Sequence, residues 1–278
     1  MKVLTAKSAG FCWGVQRAVR KARELASRQD TGTLFTDGSL IHNAELMHQL
    51  ESEGICRWDG HSPLDSGTLI IRAHGIPPSR REALGRLSVR LEDATCPDVA
   101  RIQALIRRHA RKGYHIVIFG DPGHAEVVGL EGYAEGNGHV VASAADVEKL
   151  PAMSPVCLVA QSTQLPDTYQ TIIQAIQQRF PDAVILDTIC NSTRNRQSEL
   201  IELARQVDAI VVVGDAHSAN TVRLAELART LRPTHHIQTA DQLKPEWFNG
   251  CRTAGLTAGA STPDFVIAAV RTRLESMP

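Results

Sequence analysis

Nowhere in the 278-residue sequence is there the run of roughly 20 apolar residues that a bilayer crossing takes. The N-terminal stretch MKVLTAKSAGF also lacks the apolar core of an export signal, so no membrane association is expected and the cytoplasm is the expected location. Excess charge is missing too. The 30 lysines and arginines offset 30 aspartates and glutamates, so no net field draws the chain to nucleic acid, and any anion must be captured locally. None of the six cysteines forms a C-x-x-C pair, which argues against a zinc ribbon or a thioredoxin-like site. In a reducing compartment disulfides are not expected either, leaving metal binding or packing for the thiols. Linkers, low-complexity tracts and long charge runs are absent, so closely packed domains are expected.

What the sequence does contain is alternation. Short β-branched runs such as TLIIRA (68–73), HIVIFG (115–120), VCLVA (156–160) and AIVVVG (209–214) are each followed by a helical pattern. That order predicts βαβ units and parallel sheets. An internal repeat is superimposed on it: IVIFGDPGHAEVVGL (116–130) aligns without gaps on IVVVGDAHSANTVRL (210–224). The same interval separates Cys96 from Cys190, so each repeat carries a cysteine equally far before its Gly-Asp turn. Cys12 precedes His42 by a similar distance. The expected fold is therefore α/β, with three pseudo-threefold related lobes around a central cavity. Each lobe is a small, mainly parallel sheet flanked by helices, with boundaries at 1–95, 96–189 and 190–278.

Cys12, Cys96 and Cys190 are all expected at helix N-termini, Cys96 before Pro97 and Cys190 before Asn191-Ser192-Thr193. A helix N-terminus favours thiolates and anions. Three such thiolates can ligate three irons of a 4Fe-4S cluster and leave one open; zinc with an open fourth position and burial as small core residues are the other readings. Cys157 and Cys251 read as packing, and Cys56 is left undecided. Strand-to-helix junctions also carry His42-Asn43, His74-Gly75, His124-Ala125-Glu126, Ser218-Ala219-Asn220 and Ser261, a set of donors able to hold a diphosphate without a Walker loop. A polar loop, Gln161-Ser162-Thr163, closes the second lobe. Glu126 is the best proton donor in this set.

The motifs Gly10-Phe11-Cys12-x-Gly14-Val15, His42-Asn43, Ala73-His74-Gly75, Asp93-Ala94-Thr95-Cys96-Pro97, Gly123-His124-x-Glu126-Val127, Cys190 with Thr193-x-x-Arg196-Gln197, and Thr257-Ala258-Gly259-Ala260-Ser261-x-Pro263-Asp264 act together. They resemble, essentially end to end, the 4-hydroxy-3-methylbut-2-enyl diphosphate reductase family, also called LytB or IspH. That resemblance implies three lobes around one 4Fe-4S cluster on Cys12, Cys96 and Cys190. It implies a diphosphate site made of His42, His74, His124, Ser218, Asn220 and Ser261, and a catalytic set of Glu126, Ser162 and His124. In this family the substrate hydroxyl meets the open iron and Glu126 supplies a proton. Two electrons from a ferredoxin or flavodoxin then expel water, giving isopentenyl or dimethylallyl diphosphate. Ser162, Ala219 and Val128 stand where the family usually has threonine, serine and glutamate. These departures leave room for a paralogue reducing another allylic or aromatic diphosphate. A non-catalytic cluster-binding redox sensor is the third reading, and Glu126 with its ring of donors argues against it.

Overall fold

The computed structural model describes residues 1–28 and 30–277. They fall into two compact units: a first unit of Arg17–Leu40 with Gly54–Cys190, and a second of Met1–Gln16, Ile41–Glu53 and Asn191–Pro278.

The first unit contains two parallel sheets. One is built from β2 (Leu34–Asp37), β3 (Ile55–Trp58), β4 (Thr68–Ile71) and β5 (Arg90–Asp93), in the order β3-β2-β4-β5. The other is built from β6 (His115–Phe119), β7 (Gly138–Val141), β8 (Val156–Ala160) and β9 (Val184–Ile185), in the order β7-β6-β8-β9. In the second unit β10 (Ala209–Val213), β11 (Thr234–Ile237) and β12 (Thr253–Ala258) are joined by β1 (Lys2–Thr5), in the order β11-β10-β12-β1.

All three sheets follow one plan. The first strand of each repeat lies between the second and third, and a fourth strand pairs with the third. That fourth strand is always the one that leads into a cysteine: β5 before Cys96, β9 before Cys190 and β1 before Cys12. Among the described residues no strand follows β12, and β1 takes the fourth place instead.

The first two of these sheets meet the expectation of small parallel sheets flanked by helices directly, and the third meets it with a strand borrowed from the other end of the sequence. Among the helices, α1 (Trp13–Ala26), α4 (Pro97–Ala110) and α8 (Asn191–Ala204) each follow a cysteine. After the first strands come α2 (Ala44–Ser52), α5 (Ala125–Glu131) and α9 (Ala219–Leu231); after the third strands come α3 (Pro78–Gly85), α7 (Pro166–Arg179) and α10 (Asp264–Glu275). α6 (Ala144–Glu148) links β7 to β8. Proline at the first turn of α3, α4 and α7 sets the helical φ where the missing N–H costs nothing.

Because helices cover both faces, β8 and β10 are apolar and buried at every position rather than alternating. In β10, Val211 and Val213 pack with Val266 and Val270 of α10, while Ile210 and Val212 pack with Leu200 of α8 and Leu224 of α9. β6 divides in the same way, Val117 and Phe119 toward Ile172 of α7, Ile116 and Ile118 toward Ile102 of α4 and Val127 of α5. Cys157 is fully buried in the latter core, and burial pushes its thiol up to about 12, as expected of a packing cysteine. Cys251 packs partly buried on the β10–β12 core, and Cys56 is exposed. Among the described residues no helix is long and apolar enough to cross a membrane.

Candidate functional site

Each of the three cysteines closes the loop between a strand and a helix and stands directly before the helix, and a matching hydrogen bond fixes each one. The Cys12 amide donates to Ala260 O at 3.1 Å, the Cys96 amide to Ala73 O at 2.9 Å and the Cys190 amide to Ser162 O at 2.9 Å. All three acceptors lie in the loop after a third strand. Ala260 precedes Ser261, Ala73 precedes His74, and Ser162 is itself a candidate residue. Each thiol is thereby set beside one of the polar loops, half-buried, and among the described residues no disulfide links any pair of cysteines. Cys96 caps α4, and the Val15 amide points at Cys12 Sγ from 3.5 Å. The Cys190 thiol donates to Asp98 Oδ2 at 3.2 Å, which places it against the first turn of the helix that Cys96 opens.

The first unit brings Cys96 and Cys190 together with His74, His124, Glu126 and Ser162. Glu126 is 2% exposed, and both its oxygens accept from one residue: Ser162 N donates to Oε1 at 2.7 Å and Ser162 Oγ to Oε2 at 2.8 Å. Such a buried carboxyl group is tolerated only because both its oxygens are hydrogen bonded. His124 caps α5, its Nδ1 accepting from the Glu126 amide at 3.1 Å. In the neutral ring that bond leaves the proton on Nε2. The His74 ring meets His124 edge-on, with centroids 5.7 Å apart. Gly75, at φ +70°, makes the turn after His74, and a Cβ there would collide with Gln103 Nε2. Val128 is 42% exposed on α5.

Cys12, His42, Ser218, Asn220 and Ser261 lie in the second unit. Ser261 Oγ donates to His42 O at 2.9 Å and stands 3.4 Å from Ser218 Oγ, which joins three junctions. Asn220 is buried, and its Nδ2 has no hydrogen-bond partner. A buried amide of this kind is costly unless a ligand completes it. Asn43 has a local duty: its side chain caps α2 by accepting from the Leu46 amide.

Some contributors carried no assigned role in the sequence. Asp215 takes the Ala44 amide at 3.1 Å and the His217 amide at 2.8 Å, so it joins the start of α2 to the Ser218 loop. The repeated Gly-Asp turn was its signal. Gln161 Oε1 accepts from the Asp121 amide at 2.9 Å beneath the His124 loop. Arg196 was visible only as part of a motif.

The family model for LytB protein matches residues 3–275. The chain belongs to the LytB family. It is 46% identical to the 4-hydroxy-3-methylbut-2-enyl diphosphate reductase of Opitutus terrae over 290 residues, covering 100% of both chains. It is 41% identical to the protein of that name from Geotalea daltonii, over 100% of this chain and 98% of that one. A solved (E)-4-hydroxy-3-methyl-but-2-enyl diphosphate reductase, described as the terminal enzyme of the non-mevalonate pathway, matches with TM-score 0.73 and 37% identity over 99% of each chain. The E-1-hydroxy-2-methyl-but-2-enyl-4-diphosphate reductase of Plasmodium falciparum matches with TM-score 0.93 and 27% identity, over 100% of this chain and 89% of that one. LytB proteins are iron–sulfur enzymes, and thiols at strand-to-helix junctions, one per repeat, suit that soft metal.

Proposed function

We propose that this LytB family member is a cytoplasmic reductase that converts 4-hydroxy-3-methylbut-2-enyl diphosphate to isopentenyl and dimethylallyl diphosphate, the last step of the non-mevalonate isoprenoid pathway. The substrate gains two electrons and two protons and loses its hydroxyl as water. In this reading Cys12, Cys96 and Cys190 hold one 4Fe-4S cluster with three cysteine ligands, and a ferredoxin or flavodoxin supplies the electrons. The three lobes 1–95, 96–189 and 190–278 are its repeating units, each contributing one cysteine. A cluster held by these thiols would supply the two electrons of the reduction, one at a time.

The observation that carries the reading is the thrice-repeated bond from a cysteine amide to the loop that bears His74, Ser162 or Ser261. It ties each thiol to the substrate-facing loop of another repeat, Cys12 to the Ser261 loop, Cys96 to the His74 loop and Cys190 to the Ser162 loop. The remaining work falls to the chain's own side chains. Asn220 Nδ2, the hydroxyls of Ser218 and Ser261 and the imidazoles of His42, His74 and His124 bind the diphosphate oxygens, with His124 donating from Nε2. Glu126 holds the proton for the departing hydroxyl. Ser162 Oγ, 2.8 Å from Glu126 Oε2, passes it on and keeps the carboxyl oriented.

The test is Cys96→Ser, with iron and sulfide measured on anoxically prepared protein and turnover measured on 4-hydroxy-3-methylbut-2-enyl diphosphate with a chemical reductant. Loss of cluster and turnover is expected. A variant that keeps both would sink the assignment.

A further inference from the structure

α8, which starts directly after Cys190, seizes the loop that leads into Cys12. Arg196 is 3% exposed, and its guanidinium donates to Gly10 O at 2.6 Å, to Ala258 O at 3.2 Å and to Ser8 O. One turn further along, Glu199 accepts from the Lys7 amide at 2.6 Å and the Ser8 amide at 2.8 Å. The carbonyls of the loop go to the cation and its amides to the carboxylate. Although burial works against it, the bonds from Ser8 and Lys7 hold the Glu199 carboxyl below its usual range, so both charges stand.

α1 repeats the device one cysteine along. It starts directly after Cys12, and its Arg17 donates to Thr95 O at 3.1 Å while Lys21 donates to Asp93 O at 3.0 Å, on the loop that leads into Cys96. A carbonyl on the residue before a thiol, or two before it, is thus tied to a cation from a helix opened by a different cysteine.

A buried guanidinium is expensive unless its fork of donors is filled. Here its two terminal nitrogens are bonded by backbone, by Ser8 and Gly10 just before Cys12 and by Ala258 at the end of β12, and Gly10 sits at φ +107° with Asp264 Oδ1 2.9 Å from where a Cβ would be. We infer that Arg196 and Arg17 are positioning residues for Cys12 and Cys96, holding each thiol's loop in its ligating conformation before any cluster binds. The inference rests on the cluster assignment above. Because each brace stands on a helix opened by another cysteine, ordering one thiol's helix orders the next thiol's loop. Each braced loop is therefore held before the metal arrives rather than ordered by it.

Amide hydrogen exchange on the cluster-free protein and iron release to a chelator from the reconstituted protein test this together, on Arg196→Lys and Arg17→Met. Lysine keeps the charge but cannot span several carbonyls. Arg196→Lys should speed exchange across residues 6–15 by about fivefold or more, the equivalent of one ordinary hydrogen bond, with 93–96 unchanged. Arg17→Met should do the reverse, and each variant should lose iron faster than the parent. Arg17, with one bond at a half-buried position, gives a variant that folds even if Arg196→Lys does not. Unchanged exchange at a variant's own loop overturns the inference. So does exchange rising equally in β8, or faster exchange with iron release at the parental rate. A parent protein that takes up no iron would instead sink the cluster assignment, while the exchange data still decide whether the loops are braced.

Discussion

His124 and Glu126 occupy the same register of one repeat as Ser218 and Asn220 of the next, yet the two sites are built for opposite tasks. In the first, a buried carboxylate has both oxygens engaged by Ser162. In the second, a buried amide at the same helical position has no hydrogen-bond partner for its Nδ2 among the described residues, while Ser261 answers the neighbouring backbone. One scaffold position, the second residue of α5 and of α9, thus carries a carboxyl group in one repeat and an amide in the other. In the proposed reading a few side chains divide the chemistry of a repeated frame, acid on one side and phosphate capture on the other.

Removing the acid should break this division most severely. Glu126→Gln keeps shape and part of the bonding to Ser162 but holds no transferable proton, so kcat should fall about 10²-fold or more with KM little changed. Steady-state assays with a chemical reductant read this; a KM effect alone would make Glu126 a binding residue like its counterpart. Making the second site resemble the first should come next. Asn220→Asp sets a carboxylate against the diphosphate, and pyrophosphate affinity by calorimetry should drop about 10- to 100-fold, within the cost of leaving a buried charged group badly paired. Asn220→Ala should weaken binding less, while the melting temperature of the ligand-free chain changes little, since the Nδ2 it removes has no partner among the described residues. A marked loss of stability would mean that Asn220 supports the fold instead. Smaller again is Ser162→Ala, which deletes the Oγ bond but leaves the Ser162 amide on Glu126. About a tenfold loss of kcat is expected, and Ser162→Thr, the residue usual in the family, should restore it.

Much of this division was legible before any coordinates. The βα alternation and the matched spacing of Cys96 and Cys190 placed the central strands and the junction residues, because a buried parallel strand must be apolar throughout and its carboxyl end must turn. The repeat also set Glu126 opposite Asn220. The edges were harder to read. β9 spans only Val184–Ile185, too short to show a period, and the pairing of β1 with β12 joins the two ends of the chain, which no local pattern encodes. The braces were hidden for another reason. Arg196 acts on backbone carbonyls, and any residue can supply a carbonyl, so its partners leave no mark in the sequence. Glu199, which accepts backbone amides, was hidden in the same way, whereas the repeated Gly-Asp turn marked Asp215.

The smallest expected effect concerns the foot of the Cys96 loop, where the first site meets its sheet. Asp93 Oδ1 accepts from the Thr95 amide at 2.8 Å, and the carboxyl also pairs with Arg81. Burial raises its pKa, but the bonds from Thr95 and Arg81 outweigh it and hold the group below the usual carboxylate range. A depressed folded value means stability that is fully present above the unfolded carboxylate value of about 4 and is lost as pH falls through the folded one. The side chain is partly open to solvent, so screening limits the contribution to about 1 kcal/mol or less. Asp93→Asn should therefore lower the melting temperature slightly at pH 7, and the gap from the parent should close as pH drops below about 4. A gap that persists unchanged into acid would mean that the side chain's shape, rather than its charge, holds the Cys96 loop, and the Thr95 amide bond would then have to survive on the asparagine oxygen alone.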